Sequence, residues 1–145
     1  MDYEKCAKEL IQYIIVCEHN DRILRNNVSD LAKGEIAVLS YLMDENDGAC
    51  AHDISQRFHI NTSRVAAVLN SLCKKEYIRR FTDENDKRKI HVYLTKEGTA
   101  YVQEKRDEVE KYMADMLKEL GENDAKELVR LMKKISFLSQ RMDER

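Results

Sequence analysis

The sequence predicts a mainly α-helical fold with a small β-hairpin wing: a winged helix-turn-helix flanked by long helices. Three observations carry this. Proline is absent and glycine occurs only four times in 145 residues, which favours long helices over flexible linkers. Between Asp53 and Leu72, two short helical apolar patterns are separated by a break at His59-Ile60-Asn61. Directly after them, two β-rich runs, Ile78-Arg79-Arg80-Phe81 and Ile90-His91-Val92-Tyr93-Leu94, enclose the polar stretch Thr82 to Lys89.

The elements run in chain order. From Tyr3 to Leu24, Cys6, Leu10, Tyr13, Cys17 and Leu24 recur at near-heptad spacing, and Ile14, Ile15 and Val16 widen the stripe. Glu35 to Met43 adds a second helix with Ile36, Val38, Leu39 and Leu42. Ile54 and Phe58 form an i, i+4 pair on a short third helix. Val65, Val68, Leu69 and Leu72 mark a fourth, with Asn61 as its N-cap. In the hairpin, Ile90, Val92 and Leu94 alternate onto one face. Thr95 can cap a long helix running to about Leu120, with Tyr101, Val102, Val109, Tyr112, Met113, Met116 and Leu117 as its apolar positions. Gly121 supplies a stop, and Asn123 a cap for a last helix bearing Leu128, Leu131, Met132, Ile135, Leu138 and Met142. The length fits one domain over 1–145, with 29–94 as the winged part and 1–28 and 95–145 as flanking helices.

Charge is unevenly spread. The formal net charge is −2, but from Arg57 to Lys96 ten Lys and Arg stand against four Asp and Glu, a local +6. The rest of the chain carries −8. An ordinary solvated face would need no such coincidence with the predicted turn and hairpin, so the pattern points to nucleic acid.

Two short helices joined so tightly must cross steeply. That leaves the start of the second helix exposed for a DNA major groove, and the hairpin tip free to reach the flanking minor groove. Asn61, Thr62 and Ser63 open the second helix, where polar groups and unpaired backbone N–H groups suit phosphate oxygens. Arg64, Ala67 and Asn70 lie opposite the apolar stripe and should face the groove. Arginine can pair with guanine and asparagine with adenine, although Asn70 could equally be a solvated polar residue. Lys74, Lys75, Arg79, Arg80 and Lys87 add phosphate attraction.

The wing and the segment directly after it carry a family resemblance. Asp86-Lys87-Arg88 matches the D-x-R wing motif of the MarR family of bacterial regulators. Leu94-Thr95-Lys96-Glu97-Gly98 matches that family's L-T-x-x-G entry to its long dimer helix. The chain resembles this family over nearly its whole length. The resemblance implies a homodimeric regulator of transcription, usually a repressor that a small molecule or oxidant releases from a palindromic operator. It also implies that Arg88 enters the minor groove, oriented by Asp86; a salt bridge within the wing is the plainer alternative, and the two can coexist. The family's effector pocket makes Tyr13, His19, Tyr41 and Tyr101 candidate lining residues, with core packing the alternative for the tyrosines. Two departures stand out. His59 and Glu76 occupy positions where the family often has glycine. Histidine tolerates a positive φ, whereas glutamate is a poor left-handed cap, so the second helix is expected to end differently here.

Long apolar stripes at both ends exceed what one small winged helix can cover, which favours a two-fold dimer over packing within one chain. Other chemistry is weak. Cys6, Cys17, Cys50 and Cys73 lack C-x-x-C spacing, and His19, His52, His59 and His91 are scattered, so no metal site or cofactor is expected. Cys6 and Cys17 read as small core residues rather than redox sensors. Cys50 and His52 would alternate on a strand and point apart, so no nucleophile–base pair is expected, nor an enzyme. No secretion signal or membrane span is read, and the expected location is cytoplasmic. The rival function is a winged-helix module that binds protein and has no DNA affinity.

Overall fold

A computed structural model describes residues 1–20 and 34–143. Among these, the helices are α1 (Tyr3–Asn20), α2 (Glu35–Asp44), α3 (Ala51–Phe58), α4 (Thr62–Lys74), α5 (Lys96–Leu120) and α6 (Glu122–Asp143). The strands are β1 (Ala49–Cys50), β2 (Ile78–Thr82) and β3 (Ile90–Leu94). The expected continuation of the first helix through Leu24 lies outside the described residues. The chain divides into two compact units, Met1–Asp107 and Glu108–Arg145.

The first unit holds the core. Helix α2 buries Ile36, Ala37, Val38, Leu39 and Leu42, so it is apolar almost all round, as a central helix must be. Ile54 of α3, Val65, Leu69 and Leu72 of α4, Ile78, Val92 and Val102 close around it. All but Ile78 sit at positions that the helical or alternating pattern marks as apolar; Ile78 is expected only as part of a strand.

The sheet has three strands in the order β1-β3-β2, all antiparallel. The sequence predicted only the hairpin. β1 is two residues long, Ala49 opposite Val92 and Cys50 opposite His91, too short for any periodicity to announce it. Val92 is buried and Leu94 half-buried, whereas Ile90 is exposed because β3 there has run past the core into the wing.

Helix ends explain the turns. His59 takes the left-handed conformation, φ 51°, as the tolerance of histidine allows. Asn61 caps α4, its Oδ1 accepting the Arg64 N–H at 2.8 Å. At the other end the expectation fails. Glu76 is itself left-handed, φ 61°, and closes a Schellman motif: its N–H donates to Cys73 O (3.0 Å) and the Tyr77 N–H to Leu72 O (3.0 Å). The conformation is enforced from outside. The Thr95 hydroxyl donates to Glu76 O at 2.7 Å, and the Thr95 N–H donates to Tyr77 O at 3.1 Å. The same hydroxyl caps α5 by accepting the Gly98 N–H at 3.0 Å. A Cβ on Gly98 would lie 2.1 Å from Tyr77 O, so only glycine lets α5 pass that carbonyl. The Leu94-Thr95-Lys96-Glu97-Gly98 motif is thus a clamp on the end of α4.

In the second unit, Gly121 (φ 89°) stops α5. It also precedes α6 directly, its carbonyl accepting the Ala125 N–H at 2.9 Å. Asn123 therefore lies inside the first turn of α6 and is not its cap. A shallow apolar groove runs along Met113, Leu117, Leu128, Val129 and Met132. Leu131, Ile135, Phe137, Leu138 and Met142 are exposed, as are Leu10, Ile11, Tyr13, Ile14, Ile15 and Val16 of α1.

Candidate nucleic-acid interface

Helix α4 has two sides. Val65, Leu69 and Leu72 are buried, and Thr62, Ser63, Arg64, Ala67, Asn70 and Lys74 are exposed on the surface. Burial on one side orients the other, so Arg64, Ala67 and Asn70 share an outward stripe at i, i+3 and i+6. Asn61 spends its carboxamide oxygen on the cap, which fixes the first turn. Asn70 is not merely solvated: its Oδ1 accepts from Arg80 Nη2 at 2.7 Å, which ties the helix to β2. Of the basic residues expected to add attraction, Lys75 is engaged locally. Its ammonium meets Glu35 at 2.6 Å, and that carboxylate raises its pKa. Arg57 forms a bidentate pair with Glu45 at 2.9 and 3.1 Å.

The wing tip is organised by carboxylates. Asp86 Oδ1 accepts the Arg88 N–H at 3.0 Å and its Nε–H at 3.3 Å, while the Arg88 side chain stays 93% exposed. Lys87 is exposed beside it. Asp83 Oδ1 accepts the N–H groups of Asn85 (2.8 Å) and Asp86 (3.0 Å), an Asx-type turn. Its Oδ2 lies 2.8 Å from His91 Nε2, and His91 Nδ1 lies 2.8 Å from Gly48 O. Both partners of the ring can only accept, so the geometry suits the doubly protonated imidazolium. The His91 pKa is accordingly raised, first by Asp83 and then by the Gly48 carbonyl. Asp83 is lowered to about 2, chiefly by His91 and then by the two backbone N–H groups.

Sequence reasoning missed Asp83, His91 and the Arg80–Asn70 contact. Asp83, ahead of Asn85 and Asp86, carried a readable turn signal. His91 carried none, because its second partner is 43 residues away.

The four effector candidates occupy separate surroundings. Tyr41 packs edge-on against Phe58, with centroids 5.9 Å apart, and Tyr101 stacks on Tyr77 at 4.4 Å. Tyr13 is exposed, and His19 turns Nδ1 to its own helix at Ile15 O, 2.9 Å away. The cysteines also differ from expectation. Cys6 and Cys17 are exposed rather than in a core. Cys50 is buried, and His52 lies in α3, not on a strand. Asp53 accepts the Cys50 N–H at 2.9 Å and its thiol at 3.2 Å, and those bonds, the backbone one first, lower the Asp53 pKa. Among the described residues no group of three or more His, Cys, Asp and Glu is placed to hold a metal, and no helix is long and apolar enough to cross a membrane.

None of the curated proteins matches this chain in sequence. Among solved structures, YusO of Bacillus subtilis superposes with a TM-score of 0.74 at 18% identity, covering 94% of this chain and 97% of that one. Wild-type MarR of E. coli, in its apo form, gives 0.67 at 23% identity over 88% and 94%. FabT of Streptococcus pneumoniae, solved in complex with DNA, gives 0.66 at 19% identity over 99% of both. These likenesses show the winged-helix fold that the sequence predicted. The model of the transcriptional regulator SarA/Rot family matches residues 24–106, which include the whole of α4 and the wing. The chain therefore belongs to the SarA/Rot family of winged-helix transcriptional regulators.

Proposed function

We propose that this regulator binds double-stranded DNA sequence-specifically, as a homodimer on a palindromic operator, and acts as a cytoplasmic repressor released by a small-molecule or oxidant signal. The observation that carries DNA binding is the outward stripe Arg64, Ala67 and Asn70 on a helix backed by a wing whose Arg88 side chain is 93% exposed, in a segment of local charge +6. Arg64 and Asn70 would read base edges, and Asn61, Thr62, Ser63, Lys74 and Lys87 would hold phosphates. Arg88, oriented by Asp86, would enter the minor groove. FabT, which shares the fold, was solved in complex with DNA, which supports DNA as the partner. The exposed apolar residues of α1 and α6 support the dimer, since a second copy would remove them from water. Repression, and release by an effector near Tyr13, His19, Tyr41 or Tyr101, rest on the MarR resemblance.

The test is selection of bound duplexes from a random pool, followed by titration over several salt concentrations, with the mass of the free protein measured by light scattering. A dimer and a salt-sensitive preferred duplex are expected. Arg88→Ala should weaken that binding by about 1–3 kcal/mol per half-site. Arg64→Ala should relax base preference at one position, whereas Lys74→Ala should weaken all duplexes alike. If no duplex is bound in a salt-sensitive way, the protein-binding module becomes the better reading.

A further inference from the structure

Asn70 is not alone on the reading face. The Arg80 guanidinium, carried on β2 opposite the buried Val92, donates to its amide oxygen at 2.7 Å. Guanidinium has donors and no acceptor, so the group turned toward it must be the oxygen, and the Asn70 amino group points elsewhere. Pairing of β2 with β3 fixes the Arg80 backbone, so the arrangement is anchored in the sheet.

A lone asparagine reads adenine by accepting from N6 and donating to N7. Here the oxygen is already engaged by a cation. It keeps a lone pair, but the positive charge beside it opposes the approach of another N–H such as adenine N6. What the pair offers is the Asn70 amino group together with the remaining Arg80 N–H groups, a surface of donors. The edge that answers donors alone is that of guanine, with its N7 and O6 acceptors.

We propose that Arg80 and Asn70 form one donor-only reading unit that selects guanine at one position of each half-site. Arg80 denies adenine to Asn70 and adds its own free N–H groups to the donor surface. This rests on the proposed DNA binding.

The test uses the full chain and the duplex it selects from a random pool, varied base by base. Asn70→Ala should cost the preference for guanine at one position by about tenfold. Arg80→Met keeps the aliphatic stem and removes the donors; it should move the preference at that same position from guanine toward adenine. Replacing that guanine by 7-deazaguanine should weaken the wild type and leave Asn70→Ala unaffected. Asn70 and Arg80 are both exposed, so unchanged melting curves are expected for both variants. The proposal is overturned if Arg80→Met weakens every duplex equally with base preference intact, which would make Arg80 a phosphate clamp. It is also overturned if the position sensitive to Asn70→Ala is an adenine in the wild type. Failure of the wild type to bind any duplex in a salt-sensitive way is a different result, and it would overturn the DNA-binding reading along with this one.

Discussion

The winged region and the terminal helices use the same residue types at similar helical spacings and reach opposite outcomes. Leu39, Leu42, Ile54, Val65 and Leu72 are buried in one chain, with sheet, turn and helix closing over them. Leu10, Ile14, Ile135 and Leu138 obey an equally regular pattern and remain about half exposed or more. A periodic stripe says that a face is to be buried, and says nothing about what buries it. The winged region completes its core with its own elements and Val102 from the start of α5. The stripes of α1 and α6 stay exposed, and a second copy is the partner proposed for them.

The largest effect is expected on the buried side. Leu42→Ala should cost about 2–5 kcal/mol in thermal or denaturant unfolding, at every protein concentration. Leu138→Ala should act differently: dilute protein should melt as the wild type does, and only the concentration-dependent part of its stability should shrink. If both variants lose the same stability at all dilutions, the distinction between a self-contained core and a shared face is wrong.

Gly98→Ala probes the clamp that closes the winged region. The new methyl would meet Tyr77 O, so a loss of about 1–3 kcal/mol is expected although no apolar side chain is removed. An unchanged melting temperature would mean that α5 can shift past that carbonyl at little cost.

Glu76→Gly should go the other way. Glycine relieves left-handed strain of about 1–2 kcal/mol at φ 61°, which outweighs the added freedom of the unfolded chain, so a net gain of up to about 1 kcal/mol is expected from chemical denaturation. A loss would show that the glutamate side chain contributes more than its backbone costs.

The smallest effect lies in the wing. The raised His91 pKa means that its bonds to Asp83 and Gly48 stabilise the fold fully below about pH 6.5, and that this contribution fades as pH rises through the His91 value. The lowered Asp83 pKa places its own contribution above about pH 3.8, lost as pH falls toward about 2. The wing should be tightest between these limits. The check is amide exchange at Asn85 and Asp86, monitored with the His91 ring resonances across the titration. Exchange that stays flat while the ring titrates would separate His91 from wing order.

Much of this architecture is legible in the residues, because its signals are local. Helical spacing around Val65, Leu69 and Leu72 identifies the inner side of α4, and so its outer side. Asn61 and Thr95 can be read as caps because a cap bonds to an N–H three residues on. Asp86 beside Arg88 is readable as a pair two residues apart. Asn123 misleads as a cap because Gly121 both ends one helix and starts the next, and a cap signal does not reveal that it is redundant.

The order of elements, the two sides of α4, the wing and the concentration of positive charge on them follow from propensity and period within a few residues, which is why they are readable along the chain. Tertiary structure decided the rest. It made Glu76 left-handed by holding its carbonyl from Thr95, 19 residues away. It added β1 to the hairpin, gave His91 two acceptors at once, and set Arg80 against Asn70. Each of these outcomes depends on groups from different elements meeting at hydrogen-bond distance. Such meetings are settled by how the core packs, and no local pattern records them.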